Sequence, residues 1–133
     1  MSNGYGAYKQ TAVMTASPVQ ILLMLYEAAI KYVKKASIAI DKEDMKIKGE
    51  SIIKAHDIVI ELTTSLDHEK GGKVAEDLEA LYNFMTEKLV SANLNNSKED
   101  LAAVQKSLET LLEGWRGAAE KIAKGIADQG TNG

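Results

Sequence analysis

The chain has 133 residues, enough to bury one core and too few for two ordinary domains. It contains no cysteine, which excludes disulfides, thiolate metal sites and a thiol nucleophile. The formal net charge is −3 with both signs interspersed, so no basic face for nucleic acid is predicted.

Residues 1–16 read as an N-terminal arm. Gly4 and Gly6 keep its start pliable, yet Tyr5, Tyr8, Val13 and Met14 are too apolar for a purely solvated tail and predict an arm that lies on the body. The first helix starts sharply. Ser17 can cap the free amides of the first turn, and Pro18 at the first helical position loses only an amide that is orphaned there anyway. From Val19 to Ile30 every residue except Gln20 and Glu27 is apolar. These residues cover an arc of about 220°, against a little over 100° for an ordinary amphipathic helix. The arc divides into a core stripe (Leu22, Leu25, Ala29, Val33, Ala36) and a surplus stripe (Val19, Leu23, Tyr26, Ile30), so either the helix is central and packed by neighbours on both sides, or the surplus stripe faces a partner.

Asp41 to Asp44 make a short polar joint, which suits an antiparallel neighbour. The second helix is expected to reach about Leu66, with Met45, Ile52, Ala55, Val59, Leu62 and Leu66 as its core stripe. Ile53 and Ile60 lie off that stripe, one heptad apart, and are a second case of surplus apolar surface. The stretch Asp67 to Gly72 is expected to break the chain at its paired glycines, with a third helix from about Lys73. Its stripe holds Val74, Leu78, Leu81, Tyr82, Met85, Leu89 and Ala92, and Asn93 to Asn96 end it. Ser97 opens the fourth helix as a cap, with Asp100 in the place of a capping-box Glu. Leu101, Val104, Leu108, Leu111, Trp115, Ala118 and Ile122 form its narrow stripe, and residues 125–133 are expected to fray.

No alternating β-branched run predicts a strand. The expected fold is all-α: an antiparallel up-down four-helix bundle over residues 17–124, preceded by the arm and followed by a flexible tail. The apolar run of the first helix is too short and interrupted to insert in a membrane, and no signal peptide precedes it, so a cytoplasmic protein is expected. Chemistry is sparse. His56 and His68 lack the Glu-x-x-His spacing of di-iron bundles and read as surface residues. Gly71-Gly72 lacks the Lys-Ser/Thr ending of a phosphate loop. No catalytic constellation, metal site or cofactor site is predicted.

The block Val13-Met14-Thr15-Ala16-Ser17-Pro18, followed by Leu22, Met24, Leu25 and Tyr26, resembles the flagellin-specific export chaperones of the FliS family. The likeness continues through Lys54-Ala55, Leu62, Leu66-Asp67, Gly71-Gly72, Leu81-Tyr82, Ala92-Asn93 and Trp115. Glu27-Ala28 stands where the family usually has Asp-Gly. The resemblance implies a small helical bundle in the bacterial cytosol that binds the disordered C-terminal segment of flagellin. It implies that flagellin is thereby kept from premature polymerisation and ready for the flagellar type III export apparatus. It implies as well an arm that covers part of the binding surface in flagellin's absence. A segment that folds on binding needs apolar grooves. Val19, Leu23, Tyr26, Ile30, Ile53 and Ile60 could line them, and Tyr5, Tyr8, Val13 and Met14 could shield them. The alternative is a self-associating module whose surplus face makes a homodimer.

Overall fold

In the computed structural model the described residues are 17–132, with side chains described through 125. The arm residues Tyr5, Tyr8, Val13 and Met14 lie outside them. Four helices follow in order: α1 (Pro18–Asp41), α2 (Met45–Thr64), α3 (His68–Asn95) and α4 (Lys98–Asn132). No strand occurs among the described residues. The all-α bundle is therefore as expected. Each helix packs on its neighbours in sequence and α1 closes onto α4, while α1 and α3 sit on a diagonal.

Side-chain caps set the starts of the helices. At α1 the Gln20 amide donates to Ser17 Oγ (3.2 Å) and the Ser17 amide donates to Gln20 Oε1 (3.0 Å), a complete capping box. Asp44 accepts from the Ile47 amide (3.1 Å) and Asp67 from the Lys70 amide (3.0 Å). At α4 the Asp100 amide donates to Ser97 Oγ (3.1 Å), but the Asp100 carboxylate does not return the bond. It accepts from the Ser91 hydroxyl and faces Lys88 Nζ at 3.6 Å, which ties the end of α3 to the start of α4. The Ser91 bond chiefly holds this carboxyl below the usual carboxylate range.

The helix breaks at the paired glycines, as expected, and its long part follows Gly72. A helical turn already begins at His68, and the break is confined to Gly72 (φ 50°, ψ −122°), which only glycine adopts readily. The final helix also runs on to Asn132, past the expected boundary at Gly125.

The core draws on all four helices. Leu25, Ala29, Val33 and Ala36 of α1 meet Ile52, Ala55, Val59 and Leu62 of α2, with Met85, Leu89, Leu101, Val104 and Leu108 completing it. Ile58 and Leu112 are buried too, which the expected stripes did not include. The stripes overreach at the ends: Met45, Val74 and Ile122 are exposed, and Leu66, Leu111 and Trp115 are half-buried. Where α2 and α3 begin and towards the end of α4, the bundle does not close over these outer turns.

Leu108 has no solvent exposure, so Leu108→Ala is expected to cost about 2–5 kcal/mol in urea denaturation. Gly72→Ala is expected to destabilise by about 1–3 kcal/mol through backbone strain alone, since a Cβ there meets nothing within 4 Å.

Candidate functional site

The apolar surplus of α1 falls differently from the sequence expectation. Tyr26 is 0% and Ile30 8% exposed: both belong to the core, not to a partner-facing stripe. Val19 and Leu23 are half-buried, as are Ile21, Leu22 and Met24. The expected division into two stripes therefore fails, because α2 and α4 cover both flanks of α1. The wide arc is met largely by burial on two sides.

Tyr26 enters the core because its polar end has a partner there. Its hydroxyl and that of Tyr82, from the diagonal helix α3, are hydrogen-bonded, with ring centroids 6.5 Å apart. Burial raises the pKa of both phenols above the usual tyrosine range. The Trp115 indole N–H lies close enough to Tyr26 to lower its pKa somewhat, yet it completes no hydrogen bond of proper geometry. The pair is a structural polar contact. Glu27, at the departure from the family pattern, is exposed and faces Arg116 of α4 at 3.6 Å, while Ala28 packs against the core.

A groove does open where α2 runs antiparallel to α3. Ile53, His56, Val90, Asn93 and Leu94 line it above the buried Ile52, enclosing about 270 Å³. No charged side chain lines it. Ile53 is 57% and Leu94 78% exposed, unusual for large aliphatics on a solvated helix face. Ile60, also exposed, stands one heptad along α2 from Ile53. The register is held by Lys48, buried on α2, which donates to the Asn93 carbonyl (2.9 Å) and Asn96 Oδ1 (2.7 Å) at the C-terminus of α3. Those bonds and the negative end of the helix offset the cost of burying its ammonium group. Ile53 is thereby set opposite Val90 and Leu94.

Of the residues expected from sequence to bind a partner, the structure brings only Ile53 into this groove. Val90 and Leu94 were missed. Their signal was present, an i, i+4 apolar pair off the core stripe of α3, but only the α2–α3 register shows that it faces Ile53. Among the described residues no group of His, Asp and Glu side chains is placed to hold a metal, and His68 faces Glu79 at 3.3 Å. No helix there is long and apolar enough to cross a membrane.

The described residues thus form an all-α bundle with an uncharged apolar groove between α2 and α3. Comparison with known proteins names the class. Residues 1–122 match the family described as flagellar protein FliS. The flagellar secretion chaperone FliS of Bacillus subtilis is 34% identical over 93% of this chain and 92% of its own length. That of Salmonella typhimurium is 35% identical over 92% of this chain and 94% of its own. A crystal structure of a flagellar chaperone from bacteria shares the fold, with a TM-score of 0.74 at 23% identity, covering 90% of this chain and 97% of that one. The chain belongs to the FliS family of flagellar secretion chaperones, a non-enzymatic class.

Two measurements separate core from surface. Tyr26→Phe leaves the Tyr82 hydroxyl unpaired and is expected to cost about 1–3 kcal/mol, while Tyr26→Phe with Tyr82→Phe costs less than the single change. In thermal melts Ile30→Asp is expected to unfold or severely destabilise the bundle, because its carboxylate would be buried unpaired. Ile53→Asp should change stability by less than about 0.5 kcal/mol.

Proposed function

We propose that this chaperone binds the disordered C-terminal segment of flagellin in the bacterial cytosol, prevents its premature polymerisation and holds it for the flagellar type III export apparatus. Family membership supports the class of cargo. The observation that carries the reading is the uncharged α2–α3 groove, with Ile53, Val90 and Leu94 exposed above a complete core. An amphipathic helix docks through apolar anchors at i, i+3, i+4 and i+7, the kind of face that an apolar groove between two helices accepts. Flagellin orders on this surface, so part of the contact energy offsets the entropy of folding. Ile60 extends the surface along α2, and the half-buried Val19 and Leu23 offer a further apolar contact at the start of α1. Tyr26 and Ile30 act from within, as support for α1. The arm, tethered at Ser17, covers apolar surface until flagellin displaces it.

Calorimetry with the flagellin C-terminal peptide tests this. Ile53→Asp and Leu94→Asp are each expected to weaken binding by more than about tenfold while leaving the melt unchanged. Unaltered affinity in both variants would remove the groove from the reading. Sedimentation of the mixture should give a one-to-one complex; a stable homodimer that excludes flagellin would favour self-association instead. Deleting residues 2–12 is expected to tighten binding by roughly 5- to 30-fold if arm closure is favourable by about 1–2 kcal/mol.

A further inference from the structure

The face of α1 that points away from the core carries a second feature. Lys31, Lys35, Ile38 and Lys42 follow one another at helical spacing, with Ile38 54% exposed. They line a shallow trough of about 550 Å³ that reaches Asp44 and Ile47 at the start of α2. The two carboxylates on the trough are already engaged. Glu27 faces Arg116 at 3.6 Å, and Asp44 caps α2 through the Ile47 amide. Lys34 reaches only Glu109, at 4.0 Å. Lys31 lies over the Tyr32 ring, 5.3 Å from its centroid, and Lys35 and Lys42 have no partner among the described residues. Like charges one turn apart on a helix repel, so this row costs the free protein stability.

We propose that the outer face of α1 is a second docking surface and that its occupant is an acidic amphipathic segment of another protein. Lys31 and Lys42 are about 16 Å apart along the axis, a length of three helical turns. The matching segment is therefore about three turns long, with carboxylates spaced a turn apart around an apolar residue that meets Ile38. The chain's own arm does not fit, since residues 1–16 contain a lysine and no acidic residue. A polyanionic duplex or an anionic bilayer is a poorer match: the chain carries a net charge of −3, and the lysines border a concave apolar floor. The surface is also separate from the α2–α3 groove, because no residue lines both. The proposal does not depend on what fills that groove.

The test uses the full-length chain and two synthetic helix-stabilised peptides of three turns. One carries glutamates a turn apart flanking a leucine, and the other has glutamine in their place. By calorimetry at low salt the glutamate peptide is expected to bind about tenfold more tightly, with the advantage shrinking as salt rises. The triple change Lys31→Gln, Lys35→Gln and Lys42→Gln should abolish that advantage, Ile38→Ser should weaken both peptides, and Ile53→Asp should alter neither. Far-ultraviolet dichroism checks that each variant keeps its helices. Equal binding of the two peptides, or full binding by the triple variant, overturns the proposal. So does tighter binding of phosphatidylglycerol vesicles or of poly(U) RNA than of the glutamate peptide.

Discussion

The hydrogen bond between Tyr26 and Tyr82 joins the two diagonal helices across the centre of the bundle. A buried phenol without a partner loses about 1–3 kcal/mol, so each tyrosine is admissible in the core only because the other is there. The pair fixes how α1 is rotated about its axis. With Tyr26 turned to the bundle centre, Ile30 and Val33 follow it inward, and Lys31, Lys35 and Ile38 are turned out. Both the core and the outer lysine row descend from that rotation.

Lys48 has a comparable effect on the opposite pair. Its bonds to the last turn of α3 set the α2–α3 register, and the register decides which outward aliphatics meet across the seam. A shift of one turn would separate Ile53 from Val90 and Leu94. The groove is thus a consequence of a buried charge satisfied at a helix terminus, which holds two otherwise unremarkable apolar surfaces in line.

A chaperone for a folding-on-binding cargo has to be stable while leaving apolar surface open. Here the division is spatial. The middle of the bundle is closed by residues from all four helices, whereas the α2–α3 seam and the outer turns around Val19, Val74 and Ile122 stay partly uncovered. Aspartate at Ile53 touches only the open surface; aspartate at Ile30 strikes the closed one.

Much of the fold was legible in the residues. Helix count, the Ser17–Pro18 start and the polar joints follow from capping chemistry and 3.6-residue periodicity, which are local properties. The Thr15–Pro18 block with Met24-Leu25-Tyr26 carried the family likeness. Periodicity also shows that α1 has more apolar surface than one neighbour covers, but it cannot say how many neighbours there are or how they are rotated. Only the packing decided that Tyr26 and Ile30 are inside, because α2 and α4 flank α1 and Tyr82 receives the phenol. Only the packing brought Ile53 to Val90 and Leu94, residues far apart in the chain, since that meeting depends on the register of two helices rather than on either sequence pattern.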